Sequence, residues 1–322
     1  MTNKASSAPT LAEIRAAANR LAPYVIRSPL LQLQHNEGAN NIFLKLENMQ
    51  AIGAFKARPV GNVLLNADHA ALKNGVYTAS TGNAGLGVAW MAKKLALTAT
   101  VYAPDSAPEE KLAAIARFGT AVKKLSDKEW WQVIQESHHP HDPGMYVDAV
   151  RDRLAIAGNA TIGLEIVEQA PDLDTVIIPF GGGGLSCGIA AAMRALKPNV
   201  RIVVGESDAA TPVTAALRAG RPVTVGTSSS FISGAGAPSV LEEMWPLVST
   251  LVDETVVVPV AAVADAVRLL FLSQKVIAEG AGAIALAVAL SAKPDWGKTV
   301  CVVSGGNIDA AVMAKILLGQ DI

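Results

Sequence analysis

Net charge and aromatic residues are both scarce in this chain of 322 residues. Lysine and arginine number 27 against 28 aspartates and glutamates, so the formal net charge is only −1. A protein that binds nucleic acid or an anionic membrane by electrostatics carries a positive surplus, which this composition lacks. Aromatic residues are 5% of the chain, which suits helices packed on sheets better than stacking on bases. We expect neither nucleic acid nor a membrane as partner.

Long apolar runs and cysteine are scarce as well. No run approaches the roughly 18 residues that a membrane-spanning helix requires, and the N-terminus lacks the apolar core of a signal peptide. Instead, Thr10 followed by Glu13 predicts a capped amphipathic helix. The cysteines, Cys187 and Cys301, lie far apart in apolar contexts and are predicted to be buried, reduced thiols. These features predict a cytoplasmic protein.

Strand-like and helix-like segments alternate through most of the chain, which is long enough for two domains. Several strand candidates are continuous apolar runs, the pattern of parallel strands that are covered on both faces. The candidates are residues 76–79, 99–103, 175–179, 201–205 and 299–303. The sequence therefore predicts an α/β fold with mostly parallel strands.

Two irregular stretches interrupt this alternation. Residues 137–144 are rich in turn formers, and their three histidines either bind a metal or lie in a solvated loop. Nearby prolines and the lack of a second ligand cluster favour the loop, which is a candidate crossing between domains. Residues 220–238 predict a second long loop, of the kind that is usually functional or mobile.

Three glycine- or serine-rich turns each follow a predicted strand and precede a predicted helix. Their sequences are STGNAG at 80–85, GGGG at 181–184 and SGGN at 304–307. Open α/β sheets bind ligands at the carboxyl ends of their strands. We therefore expect the three turns to line one site.

The glycine run at 181–184 is the strongest of these signals. Its backbone amides can approach an anion closely, and the following helix adds its positive N-terminal end. We predict a phosphate site in preference to a plain strand-to-helix turn. No Gly-Lys-Ser/Thr follows, which excludes a Walker loop, while Glu206 after the next strand keeps a dinucleotide site open as a weaker alternative.

The other polar features each have several interpretations when taken alone. Residues 80–83 either bind a carboxylate or cap a helix, and Ser304 is either a ligand or a turn serine. Glu279 is paired, caps a helix or lies in a polar cleft, because an unpaired buried carboxylate is costly. Lys56, in the stretch GAFKARP, is either an ordinary exposed lysine or an amine held for covalent chemistry.

Taken together, these motifs resemble fold-type II pyridoxal-phosphate enzymes, in the branch of serine/threonine dehydratases and serine racemases. The shared motifs are Phe-Lys-x-Arg around Lys56, Ser-x-Gly-Asn at 80–83, the tetraglycine, Glu-Gly-Ala-Gly from Glu279 and Ser-Gly-Gly-Asn at 304–307. The order and spacing of these motifs agree with those of the family over residues 10–318. The resemblance covers most of the chain, and five motifs in family order are far more specific than any one of them.

The resemblance implies two open, twisted, mostly parallel-sheet domains of the tryptophan synthase β type, with pyridoxal 5'-phosphate in the cleft between them. Residues 1–50 and 149–322 would form a large cofactor-binding domain, and residues 51–148 a small, mobile substrate-binding domain. Members of this family commonly form homodimers, and we expect one here.

The resemblance also implies roles for individual residues. Lys56 would hold the cofactor covalently and later remove the α-proton of the substrate, and desolvation beside Phe55 would lower its pKa. Asn83 would bind the ring hydroxyl of the cofactor, and Ser304 its pyridine nitrogen. The implied cofactor-binding set is Lys56, Phe55, Asn83, Gly181, Gly182, Gly183, Gly184, Leu185, Gly234, Glu279 and Ser304. The implied substrate-binding set is Ser80, Thr81, Gly82, Asn83 and Ala84.

A serine cannot stabilise a protonated ring as a carboxylate would, which favours prompt β-elimination from a 3-hydroxy amino acid to a 2-oxo acid and ammonia. Ala84 replaces the histidine that the family often has, and Asp148-Ala-Val150 replaces His-Pro-Phe. Both departures predict a substrate bulkier than serine or threonine, with phenylserine the leading candidate. Thr81 stands at the position of a catalytic serine in racemases, and Pro212 replaces an acid of metal-activated members. We therefore expect racemisation to be secondary and no divalent cation to be required.

The alternatives are a serine/threonine dehydratase, an amino-acid racemase, a β-replacement enzyme similar to cysteine synthases and a non-catalytic amino-acid-binding protein. The residues around Lys56 and Asn83 fit the dehydratases better than the β-replacement enzymes. The joint presence of Lys56, Asn83 and Ser304 argues against a protein without catalysis.

Overall fold

A computed structural model describes residues 7–34, 41–291 and 296–322. Residues 1–6 lie outside the described residues. They belong to the N-terminal segment in which the sequence predicted no signal peptide. Residues 35–40 and 292–295, which the predicted large domain includes, also lie outside the described residues. Among the described residues, no helix is long and apolar enough to cross a membrane.

Two sheets organise the described part of the chain. The larger has the order β1-β2-β10-β7-β8-β9 and the smaller has the order β5-β4-β3-β6. Neighbouring strands are parallel except that β1 runs antiparallel to β2, which confirms the predicted α/β class. The strands are β1 (Leu30–Gln32), β2 (Ile42–Leu46), β3 (Val76–Ala79), β4 (Ala99–Pro104), β5 (Ala121–Leu125), β6 (Met145–Tyr146), β7 (Thr175–Pro179), β8 (Arg201–Ser207), β9 (Glu254–Val258) and β10 (Thr299–Val303).

Helices connect the parallel strands and cover the sheets. The first begins at the capping box predicted from Thr10 and Glu13, whose side chain and backbone groups bond each other reciprocally. The helices are α1 (Leu11–Leu21), α2 (Ala57–Asn66), α3 (His69–Leu72), α4 (Asn83–Lys94), α5 (Glu109–Ala116), α6 (Asp127–Glu136), α7 (Arg153–Gln169), α8 (Gly184–Leu196), α9 (Pro212–Ala219), α10 (Trp245–Leu251), α11 (Val260–Leu269), α12 (Gly280–Ser291) and α13 (Ala310–Leu318).

The centre of the larger sheet is buried on both faces. Every residue of β7 and β10 is buried, because α8 packs on one face of the sheet and α12 on the other. Cys187 and Cys301 are buried free thiols, as predicted, and burial raises the pKa of Cys187 to about 12. This rigid, apolar layer sets the carboxyl ends of β7 and β10 at one edge.

The smaller sheet draws its strands from residues 76–146, and the larger from residues 30–46 and 175–303. The exact domain boundaries and the mobility of the small domain stay predictions. In the loop at 137–144, His138 and His141 are exposed, while the ring of His139 stacks on Tyr102 at 4.3 Å between centroids. That loop is thus attached to the smaller sheet.

A buried group of four charged residues joins α2 to the larger sheet. The Arg58 guanidinium on α2 lies 2.8 Å from the carboxylate of Glu47 and 2.7 Å from that of Glu165 on α7. Lys45 on β2 completes the group, 2.5 Å from Glu165. Two positive and two negative charges balance, as burial requires. Because Arg58 follows Lys56 by two residues, the group fixes where that lysine enters its helix.

Candidate active site

The segment before α2 lies beside the turn that follows β10. The Phe55 amide donates to the Ser304 carbonyl over 2.9 Å, and the Gly306 amide donates to the Gly53 carbonyl over 2.8 Å. Gly53 has a φ of +72°, and a Cβ there would lie 2.6 Å from the Asn307 side chain. This pairing brings the backbone before Lys56 against the turn at 304–307, which are more than 240 residues apart in the chain.

The amine of Lys56 makes a hydrogen bond to a backbone carbonyl and lies near an aromatic ring. Its Nζ donates to the Ala149 carbonyl over 3.1 Å and lies 5.0 Å from the centre of the Phe55 ring. Burial lowers its pKa from 10.5 to about 8, against the opposing effect of the Asp148 carboxylate. The lowered pKa increases the fraction of the amine that is neutral near physiological pH, the form required for a nucleophile or base.

Asp148 and Ala149, which the sequence predicted only to affect the choice of substrate, are fixed by a tight local turn. The Asp148 carboxylate accepts from the amides of Val150 and Arg151 at 2.9 and 2.8 Å and from the Arg151 guanidinium at 2.6 Å. These bonds orient the Ala149 carbonyl toward Lys56. The run of Asp, Val and Arg at 148–151 was visible in the sequence, but its contact with Lys56 requires the tertiary fold.

The glycine run at 181–184 packs tightly between other segments. A Cβ at Gly181 would lie 2.5 Å from the Gly234 carbonyl oxygen, and one at Gly182 would lie 2.7 Å from Val150. Gly183 has a φ of +93°, a conformation that favours glycine. Each of these glycines is thus required by close approach or by backbone conformation.

The amides from Gly181 to Leu185 have no hydrogen-bond acceptor among the described residues. They surround the N-terminus of α8, a helix of 13 residues, where orphan N–H groups and the helix dipole favour an anion. The side chain of Leu185 is buried in the core beside β7, so this residue offers its amide alone. The arrangement fits a phosphate group.

Ser304 and Glu279 line the same region from the larger sheet. Ser304 is 4% exposed, and its hydroxyl has no hydrogen-bond partner in the described part of the chain. The Glu279 amide donates to the Gly305 carbonyl over 3.0 Å. Burial raises the pKa of the Glu279 carboxyl from 4.5 to about 7, opposed by a hydrogen bond from Asn83. Glu279 is thus a paired carboxylate in a cleft.

Asn83 links the two sheets across this cleft. Its Nδ2 donates to Glu279 at 2.6 Å, and its Oδ1 accepts from the Asn307 amide at 2.7 Å. Asn83 is the first residue of α4 in the smaller sheet's layer, while Glu279 and Asn307 belong to the larger one. One hydrogen of the Asn83 amide remains available for a ligand.

The turn before α4 has free amides of its own. The Ser80 hydroxyl accepts from the Gly82 amide over 3.2 Å, while the amides of Thr81, Asn83 and Ala84 have no acceptor among the described residues. The Ala84 side chain is half-buried against the core of the small sheet. In the described chain, no hydrogen bond joins Thr81 to another predicted site residue, so its catalytic role stays a prediction.

Glu206 has a structural use in this fold. Its carboxylate accepts from the amides of Val213 and Thr214 at 2.7 and 2.9 Å and from the Thr214 hydroxyl at 2.6 Å. Glu206 therefore caps α9. Its carboxylate is already bonded within the protein, which argues against the weaker alternative of a dinucleotide site that depended on it.

These features define a class of protein. The lysine of lowered pKa, the anion cradle and the unpartnered Ser304 hydroxyl fit the amine-reactive, phosphate and ring-nitrogen groups of pyridoxal phosphate. A family model described as pyridoxal-phosphate dependent enzyme matches residues 21–305. The chain belongs to that family, and its cofactor is pyridoxal phosphate, as predicted.

Individual relatives narrow the resemblance. An L-threonine ammonia-lyase of Geobacter sulfurreducens is 35% identical over 311 residues, which cover 94% of this chain and 77% of the relative. A serine racemase of Oryza sativa subsp. indica is 32% identical over 320 residues, with coverages of 94% and 92%. The structure of maize serine racemase superposes with a TM-score of 0.87 at 30% identity and covers 97% of this chain and 98% of its own. The predicted branch and fold type are confirmed.

Proposed function

We propose that this protein catalyses the pyridoxal-phosphate-dependent β-elimination of a 3-hydroxy amino acid, giving a 2-oxo acid and ammonia. The observation that carries the proposal is a lysine amine of lowered pKa that follows Phe55, whose backbone amide donates to the carbonyl of the neutral, buried residue Ser304 over 2.9 Å. Pyridoxal phosphate, when bound, withdraws electrons from the α-carbon of an amino acid. A neutral partner such as Ser304 limits that withdrawal, which favours prompt loss of a leaving group from the neighbouring carbon.

Two groups of residues would carry out proton transfer and substrate binding. The neutral amine of Lys56 would accept the α-proton, with the Ala149 carbonyl holding Nζ in place at 3.1 Å. The free amides at the start of α4 would hold the substrate carboxylate and so orient the α-proton toward Lys56. The names of the relatives, L-threonine ammonia-lyase among them, support this reaction class.

The proposal is tested with Lys56→Ala. We expect this variant to lose the visible absorption of bound cofactor and to form ammonia and 2-oxo acid about 100-fold to 10,000-fold more slowly, because both anchor and base are gone. Lys275→Ala, at an exposed lysine after the helical turn at 270–274, is the matched control and should behave as wild type. Full elimination activity in Lys56→Ala would reject the proposal.

We further propose that the substrate is bulkier than serine or threonine, with phenylserine the leading candidate. Ala84, in the first turn of α4, is small where a histidine is common in the family, and it adjoins the free amides that would hold the carboxylate. A hydrophobic pocket discriminates between side chains by about 1–3 kcal/mol. We therefore expect kcat/KM for phenylserine to exceed that for serine by about tenfold or more, and Ala84→His to abolish the difference.

Two outcomes of that comparison favour other activities. A clear preference of the wild-type enzyme for serine or threonine would support an ordinary dehydratase, as the named relatives suggest. Inverted configuration in recovered amino acid, lost in Thr81→Val, would support racemisation.

We also propose a homodimer, which sedimentation at equilibrium would test, and a cytoplasmic location, which fractionation would test.

A further inference from the structure

Asn159 is a buried polar residue that the site described above does not use. It lies in the middle of α7 and is fully buried. Neither its carboxamide oxygen nor its nitrogen has a hydrogen-bond partner in the described part of the chain. Leaving both ends of a buried amide unbonded is costly, and such a group in a folded protein indicates a partner of another kind.

The direction of the side chain indicates where that partner binds. The Asn159 Cβ lies 2.7 Å from the position that a Cβ at Gly188 would take, and Nδ2 lies 3.4 Å from the position of one at Gly184. Gly188 is one turn further into α8 than Gly184. The carboxamide therefore runs along α8 toward its N-terminus and ends beside the glycine run, where the amides from Gly181 to Leu185 are also unbonded.

We propose that Asn159 is a further ligand of the phosphate group that the glycine run binds, with Nδ2 as the donor. A neutral amide donor adds a charge-assisted hydrogen bond to an anion without burying a second charge. Asn159 lies on α7, so its donor would approach the phosphate from the side of α8, whereas the amides of the glycine run would approach along the axis of α8. The inference concerns the cofactor of the family alone, so it stands or fails independently of the reaction and the substrate proposed above.

The test uses Asn159→Leu, which keeps the shape of the side chain and removes the donor. Affinities of the apoprotein for pyridoxal phosphate, for inorganic phosphate and for pyridoxal are measured by titration. We expect Asn159→Leu to weaken binding of both phosphate-bearing probes by about tenfold, the loss of one such hydrogen bond, and to leave pyridoxal affinity unchanged. Asn159→Asp should weaken phosphate binding further through charge repulsion.

Stability separates this role from a structural one. Because Leu replaces an unbonded amide, the apoprotein of Asn159→Leu should unfold at the same or a higher temperature than wild type. Thr161→Val on the same helix is the matched control: it removes a buried hydroxyl that bonds Arg58 at 3.1 Å, so it should lower stability and leave phosphate affinity unchanged. Wild-type phosphate affinity in Asn159→Leu, or an equal loss of pyridoxal affinity, would overturn the proposal.

Discussion

The turns before α8 and before α4 are built on one plan and differ in how they are packed. Each follows a buried parallel strand and ends in a helix whose first amides are unbonded. Around Gly181 and Gly182, other segments approach to 2.5–2.7 Å of where a Cβ would stand, whereas a Cβ at Gly82 would meet nothing within 4 Å. The first turn is enclosed, and the second is open and carries hydroxyls.

This difference matches the two kinds of ligand that the turns would hold. A cofactor stays bound through many reaction cycles, so a rigid cradle fixed by Val150 and Gly234 is suitable. A substrate enters and leaves in every cycle, and the open Ser80–Asn83 turn allows that exchange. We therefore expect the enclosed turn to hold its ligand longer than the open turn does.

The largest expected effect tests the enclosed turn. Gly181→Ala would force a methyl group against the Gly234 carbonyl, and such overpacking costs about 1–3 kcal/mol. We expect affinity of the apoprotein for pyridoxal phosphate to fall about tenfold to a hundredfold, measured by titration. Gly82→Ala, in open space, is the control. A similar loss of cofactor affinity in Gly82→Ala would break the comparison.

A smaller effect tests the open turn. Ser80→Ala removes the acceptor of the Gly82 amide, a hydrogen bond worth about 0.5–1.5 kcal/mol. We expect KM to rise a few-fold, since the amides that would hold the substrate carboxylate lose their arrangement, with cofactor affinity unchanged. Ser126→Ala is the control: it removes the cap of α6 and should lower stability by about 1 kcal/mol without changing KM. Lower cofactor affinity in Ser80→Ala would contradict the division of roles.

The last prediction concerns the stability of the apoprotein and Glu279, which joins the open turn to the turn at 304–307 through Asn83 and the Gly305 carbonyl. Its carboxyl has a pKa of about 7 in the folded protein against 4.5 ordinarily. Between these values the folded state binds more protons than the unfolded state, so its contribution to stability, complete below pH 4.5, is lost as pH rises through 7. The slope is at most about 1.4 kcal/mol per pH unit.

Glu279→Gln keeps an acceptor for Asn83 and removes the titration. Urea unfolding of the apoprotein at pH 5 and pH 7 should show stability falling with pH in wild type and a smaller change in the variant. Lys56, whose pKa of about 8 lies above this range, adds only a small slope of opposite sign near pH 7, and both proteins share it. If stability changed equally with pH in both proteins, a group other than Glu279 would be responsible, and the prediction would be wrong.

Local sequence patterns predicted most of the fold. The buried strands at 175–179 and 299–303 were predicted from their apolar runs, and α1 from its capping box. The antiparallel β1 and the short β6 carry too few residues for a periodic pattern and were not predicted. The motifs around Lys56, Asn83 and Ser304 identified the family because their order in the chain is itself specific.

By itself, the sequence determined the α/β class and the candidate anion-binding turn at 181–184, since each rests on residues close together in the chain. It singled out Lys56 only through the order of five motifs spread over residues 10–318, because the residues around Lys56 alone also fit an ordinary exposed lysine. Only the tertiary structure decided what surrounds that lysine. The Ala149 carbonyl, the Arg58–Glu47–Glu165–Lys45 group and Asn159 act through contacts between distant segments. Burial, which sets the pKa of Lys56 and of Glu279, likewise depends on the whole fold.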